Sequence, residues 1–163
     1  MEIRTIEPAD NQALEKIIKS SLESFGLDRP GTAYFDPHLG NLSDYYAALS
    51  RSLYWVLVDE SQEVVGGVGI AVFDEMKSIA ELQKLYLIPE IQGKGWAKRL
   101  INIALEFASN YYLYCYLETM QILEQANRLY EWAGFEKLAQ PLAGSEHTLM
   151  DTWYIKNCNI PEV

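Results

Sequence analysis

The chain is short of cysteine, histidine, positive charge and long apolar runs, and each shortage removes a class of function. There are 2 cysteines and 2 histidines in 163 residues, and 13 lysines and arginines face 23 aspartates and glutamates. Cys115 falls in a run that reads as a strand and Cys158 near the C-terminus. Neither belongs to a CxxC or Cys/His pattern, so no metal centre is expected and both are read as reduced thiols. His38 and His147 stand alone and read as loop or surface residues. The formal charge of −10 argues against a nucleic-acid partner, because a phosphate backbone requires a basic face. No run approaches the roughly 20 apolar residues that cross a bilayer. The first residues, MEIRTIEPAD, are charged from the second position and hold no apolar signal core, so the expectation is a cytoplasmic protein with no membrane partner.

What is present fits one domain over residues 1–163, without repeats or low-complexity segments. Residues 2–6 alternate as a short strand. Ala13, Leu14, Ile17, Ile18 and Leu22 then mark one face of a helix from about Asp10 to Gly26. A loop rich in Gly, Pro, Asp and aromatics follows, with a shorter helical stretch at about 42–50. Residues 54–58 and 64–73 read as a hairpin. Gly66, Gly67 and Gly69 lie inside its second strand and imply either a bulge or a close backbone approach, or else a twisted, tightly covered strand. The spacing predicts a strand over 82–88, a helix over 93–108, a strand over 112–118, a helix over 121–132, strands over 135–139 and 149–156, and a frayed end over 157–163. Helix-bearing crossovers of this kind point to a mixed α/β sheet flanked by helices.

The stretch around which the rest is organised is ELQKLYLIPEIQGKGWAKR, Glu81 to Arg99. An apolar strand closes at Pro89, and a turn bearing Gly93 and Gly95 opens a helix. Main-chain N–H groups from Gly93 to Lys98 can therefore converge at a helix N-terminus, where first-turn donors lack internal partners and the dipole is positive. Lys84, Lys94, Lys98 and Arg99 give this stretch a local basic character suited to a polyanionic ligand. It is not a Walker A loop, since Gly95 follows Gly93-Lys94 where Ser or Thr is needed. Nor is it a Rossmann GxGxxG, whose third glycine would fall at Lys98.

The spacing of Gln92, Gly95 and Ala97 resembles the QxxGxA pyrophosphate-binding signature of the GNAT acyltransferase superfamily, which uses acetyl-CoA. The preceding LYLIPE and the later ANRLYEWAGFEKL, Ala126 to Leu138, resemble the family's second half in content, order and separation. The resemblance implies a mixed, mostly antiparallel sheet of about six or seven strands, with the fourth and fifth splayed to admit a pantetheine arm. It implies that Gln92, Gly93, Lys94, Gly95, Trp96, Ala97 and Lys98 form the turn that holds the CoA pyrophosphate, with Lys94 and Trp96 flanking it. Tyr86, Leu87 and Ile88 would line the pantetheine arm, an N–H of Leu87 or Ile88 polarising the thioester carbonyl.

Transfer to an alkylamine requires that an ammonium with a pKa near 10.4 lose its proton, at about 4 to 5 kcal/mol at pH 7. The resemblance implies Glu81 as a general base acting through water, although the residue also reads as a surface glutamate at a strand's start. It implies Tyr130 as the proton donor to the departing thiolate and Asn127 as a hydrogen-bond partner of the cofactor arm. Tyr130 equally continues the apolar stripe of Ala126 and Ala133. Glu118 carries little weight. The acceptor loops, about 26–44 and 141–151, combine aromatic and acidic residues. The expected partner is therefore a small cationic amine, with peptide N-termini or lysines as the alternative acceptor and a homodimer possible. A non-catalytic acyl-CoA sensor is the alternative from another class.

Overall fold

The computed structural model describes residues 1–159. Eleven elements follow the order β1 (Glu2–Thr5), α1 (Asn11–Ser24), α2 (Leu42–Ala48), β2 (Leu53–Val58), β3 (Val64–Asp74), β4 (Ile79–Leu87), α3 (Trp96–Ser109), β5 (Tyr114–Thr119), α4 (Glu124–Trp132), β6 (Glu136–Leu138) and β7 (Thr152–Asn157). One seven-stranded sheet takes the spatial order β1-β2-β3-β4-β5-β7-β6, antiparallel throughout except where β4 runs parallel to β5. The expected mixed, mostly antiparallel sheet is thus observed. Asn157 closes β7 rather than fraying, and the rest of that expectation, from 160 onward, lies outside the described residues.

Each face of the sheet carries its own core. On one face α3 lays Leu100, Ile101, Ala104 and Ala108 against Val68, Ile70 and Leu82, the stripe that its 3.6-residue period predicts. On the other, α1 brings Leu14, Ile18 and Leu22 against Tyr54, Val56 and α2's Tyr46. Burial of each leucine or isoleucine among them contributes about 1.5–3 kcal/mol. The N-terminal end is tied by Arg4, whose guanidinium meets both oxygens of the buried Asp10 at 2.8 and 2.9 Å.

Most element boundaries shift by one to three residues from those the spacing predicts, and two of the shifts bear on the site. β4 begins at Ile79, so Glu81 sits inside the strand rather than at its start. α3 begins at Trp96 and not at Gly93, because Gly93 and Gly95 take left-handed φ values of 74° and 85° that continue no helix.

A bulge breaks the alternation of β4. Gly67 pairs with Tyr86 and Gly69 with Gln83, so Lys84 and Leu85 together oppose the single residue Val68. Lys84 adopts φ 50°, unusual for a residue with a side chain. Its carbonyl accepts a 2.8 Å hydrogen bond from the buried Tyr54 hydroxyl. The glycine-rich strand is the counterpart of this arrangement. A methyl group at Gly67 would strike the Tyr54 ring, and one at Gly69 would strike Tyr46 and Tyr54. The ladder is bulged, on the facing strand, and the glycines are tightly covered by these rings, so both readings of the glycines contribute. Replacing Gly69 by Ala forces those rings outward; the urea midpoint should fall by the equivalent of about 1–3 kcal/mol with the m-value unchanged.

Candidate active site

β4 and β5 pair only at their beginnings, through Ile79–Tyr114, Ala80–Cys115 and Glu81–Tyr116. Beyond Glu81 they part, and a cleft of about 1080 Å³ opens between β4, the glycine turn, α4 and the loops around residues 33 and 147. The second half of β4 thereby presents unpaired backbone to the cleft. Its orientation follows from the ladder on the other side. Ile88 N–H donates to the Val65 carbonyl at 2.9 Å, which makes Leu87–Gly66 a non-hydrogen-bonded pair. The Leu87 amide therefore points away from β3 into the cleft, whereas that of Ile88 is already engaged.

At the far end lies the turn. Gln92, Gly93, Gly95, Ala97 and Lys98 line the cleft, and nothing lies within 4 Å of where a Cβ would stand on either glycine. The first intrahelical bond of α3 runs from Arg99 N–H to the Gly95 carbonyl at 3.3 Å, leaving the amides of Trp96 to Lys98 without helical partners. Gln92 donates its side-chain amide to the Leu87 carbonyl at 3.0 Å, closing the strand end onto the turn. Lys94 and Trp96 do not line the cleft; Trp96 packs under the Arg99 guanidinium at 4.6 Å, and Lys98 lies over Trp132 at 4.3 Å.

Tyr130 is 7% exposed and packs against Phe135 and Tyr154, consistent with the apolar stripe. Its hydroxyl makes no hydrogen bond among the described residues, yet no fully buried side-chain N or O there lacks one. The hydroxyl therefore opens into the cleft. Burial raises its pKa well above that of a free tyrosine, so it is protonated at neutral pH. Asn127 is placed differently. Its amide donates to the carbonyls of Met120 and Leu123 at 2.9 and 2.8 Å and accepts from Tyr154 at 3.0 Å, which braces the start of α4 outside the cleft.

Glu81 faces the cleft on the same side of β4 as Gln83, two residues on. Gln83 donates to Glu81 Oε2 at 2.7 Å and accepts from the Tyr46 hydroxyl at 2.7 Å. Burial pushes the Glu81 pKa up, a tendency that the Gln83 hydrogen bond opposes and nearby Glu118 reinforces. Glu118 accepts from Tyr116 at 3.0 Å and from Ser145, so it braces the loop before β7.

Two residues take places other than those the chain suggests when read linearly. Lys84 does not join the basic turn; the bulge turns its ammonium to the opposite face, 8% exposed, where it meets Asp36 at 2.6 Å. His147 is no bland surface residue: its Nε2 meets the other Asp36 oxygen at 2.9 Å and it lines the cleft. With Leu149 N–H donating to the Gly31 carbonyl at 3.1 Å, this cluster fastens the loop after α1 to the loop before β7. Asp36 and His147 lie 111 positions apart, so no local pattern signals their meeting. Gln83 does carry a signal, its two-residue spacing from Glu81 on a strand.

The chain matches the model of the acetyltransferase (GNAT) family over residues 14–135, most of its length. It belongs to the GNAT family. A protein of Escherichia coli (strain K12), named as the uncharacterized N-acetyltransferase YjgM, is 39% identical over 89% of this chain and 87% of its own. A GNAT acetyltransferase of Staphylococcus aureus Mu50 shares the fold with a TM-score of 0.82 at 19% identity, covering 96% of this chain and 98% of that one. A spermidine N-acetyltransferase of Vibrio cholerae, solved with CoA and spermine, superposes with a TM-score of 0.69 at 20% identity over 96% and 94%. Family and relatives place the protein among acetyl-CoA-dependent acyltransferases, and the GNAT frame accounts for the parted strands. Among the described residues no helix is long and apolar enough to cross a membrane, and no cluster of three or more metal-ligating side chains occurs.

The loop cluster has a defined pH signature. Its hydrogen bond to Asp36 raises the His147 pKa, so that contribution is complete below the ordinary imidazole value near 6.5 and is lost as pH rises through the higher folded value. Burial opposes ionisation of Asp36, but its hydrogen bond to His147 and the Lys84 charge outweigh it and lower the pKa. That contribution is present above about pH 4 and is lost as pH falls through the lower folded value. His147→Asn should therefore cost about 1–2 kcal/mol between roughly pH 4 and 6.5 and progressively less above pH 8, read from urea unfolding across pH.

Proposed function

We propose that the protein transfers an acetyl group from acetyl-CoA to a primary amine of a small molecule, by direct attack within a ternary complex. One observation carries the reading. A single cleft holds a ring of turn amides, an outward-facing strand amide, an unengaged tyrosine hydroxyl and a carboxylate of raised pKa.

Each group has work that fits its position. Amides of the Gly93–Lys98 turn suit the CoA pyrophosphate, with Lys98 adding charge at the rim. Tyr86 and Leu87 line the way inward as strand-like partners for the pantetheine arm; Ile88, whose N–H and C=O are both engaged, does not, so Leu87 supplies the free N–H toward the thioester carbonyl. Glu81, whose second carboxylate oxygen stays open, removes a proton from the acceptor ammonium through water. As the amine bonds to the acetyl carbon and the carbon–sulfur bond breaks, Tyr130 gives its proton to the sulfur, and the second proton that the nitrogen sheds on becoming an amide restores the tyrosine. Asn127 supports this by fixing α4 from behind.

The acceptor side is acidic and aromatic: Glu81 and Glu118 face it, Tyr45 and Tyr46 stand nearby, and Lys84 is consumed by Asp36. With the overall charge of −10, this favours a small cationic amine. The name of the spermidine enzyme from Vibrio cholerae is in keeping with that choice. We place the reaction in the cytoplasm and treat residues 1–163 as one catalytic domain.

Free-thiol release from acetyl-CoA, assayed against polyamines, amino acids and peptides beside calorimetric CoA binding, tests the reading. Release with cationic small amines is the expected outcome. Release only with anionic amino acids or protein amines overturns the acceptor class, CoA binding without turnover on any amine makes the protein a sensor, and no binding overturns the role of the turn. Tyr130→Phe should lower kcat about 10²-fold or more while leaving the Kd for CoA within about threefold. Equal losses in both would make the residue structural.

A further inference from the structure

The Tyr46–Gln83–Glu81 chain has a direction built into it. The Tyr46 hydroxyl is buried above Gly69, and burial keeps its pKa well above the ordinary tyrosine value, so it stays a donor. Its proton goes to Gln83 Oε1 at 2.7 Å. That fixes which end of the amide faces Glu81, because the end accepting from tyrosine is the carbonyl oxygen. Gln83 Nε2 is therefore presented to Glu81 Oε2, also at 2.7 Å. Glu81 has no other side-chain hydrogen bond among the described residues, and no fully buried side-chain oxygen there lacks a partner, so Oε1 is left open to the cleft.

We infer that Gln83, itself oriented by Tyr46, is a positioning residue for Glu81. It occupies one carboxylate oxygen so that the other points at the acceptor, and it holds the charged form against the surrounding burial. The inference rests on the reading of Glu81 as the base. Gln83 touches neither acceptor nor thioester in this role. An amide donor also suits it better than an ammonium would. A neutral donor orients the carboxylate without lowering its proton affinity as far as an ion pair does, and a base near the enzyme's working pH must keep that affinity.

The charged groups that act on Glu81 come from three neighbouring elements: Glu118 on β5 raises its pKa, while His147 in the loop before β7 and Lys84 on β4 lower it. Tyr116 and Cys115 on β5 and Tyr45 and Tyr46 on α2 also face it, and its charge raises their pKa values in turn. Gln83 is the one residue beside them that hydrogen-bonds the carboxylate among the described residues.

The test titrates Glu81 directly, by carbon-13 NMR of protein labelled at the glutamate carboxyl carbons, with Glu81→Gln assigning the signal. The whole chain is used, without acceptor. Gln83→Leu should raise the Glu81 midpoint by about 0.5–1 pH unit, the worth of one neutral hydrogen bond. Tyr46→Phe, which lets the amide turn, should move it the same way by less, and the double variant should match Gln83→Leu alone because both act through one contact. With acetyl-CoA and the amine found by thiol release, the acid limb of the kcat profile should move upward with the NMR midpoint while the KM for acetyl-CoA stays put. An unmoved Glu81 titration in both single variants, or additive shifts in the double, overturns the positioning role whatever Glu81 does. A moved titration with Glu81→Gln turning over at the wild-type rate instead overturns the base assignment beneath it.

Discussion

Everything about the cleft depends on the parting of two parallel strands. A backbone N–H or C=O left unmade in a protein interior costs on the order of 1–3 kcal/mol, so a sheet does not open without something to occupy the gap. Here β4 and β5 are held together by three residue pairs and then diverge, and the exposed half of β4 is the strand whose other edge is paired to β3. The fixed ladder decides which amides look into the opening. Leu87 looks in and Ile88 does not because of one hydrogen bond on the far side, from Ile88 to Val65.

The bulge at Lys84 does the complementary work for side chains. In an unbroken strand Gln83 and Lys84 would face opposite sides of the sheet. With two residues set against Val68, both come to the α1 and α2 side. There Gln83 reaches Glu81 and Lys84 reaches Asp36. The Tyr54 hydroxyl on the Lys84 carbonyl, and the absence of side chains at Gly67 and Gly69, hold the distortion in place. Two glycines that weaken β3 as an isolated strand are thus the condition for the bulge on its neighbour.

Much of this was legible in the chain, and what was not follows a physical divide. Period and punctuation located the strands and helices, since the α3 stripe and the Pro89 stop act over a few residues. The QxxGxA spacing located the turn for the same reason. The bulge was only half visible: glycines in β3 hinted at close approach, but nothing in β4 itself marks Lys84. Asn127 shows the limit of carrying roles by resemblance, because its amide is consumed by Met120, Leu123 and Tyr154. His147 and Asp36 were invisible as a pair, because their contact is made by the closing of the fold and by no neighbouring residue.

That contact also ties together two segments that line the cleft, the loop after α1 and the loop before β7. Asp36 satisfies a nearly buried ammonium with one oxygen and an imidazole with the other. Neither loop can be redesigned alone, since removing the carboxylate strands the Lys84 charge in a poorly hydrated place. This wall of the cleft is therefore inherited as a matched set: a transplanted loop must bring its partner loop and the strand residue between them.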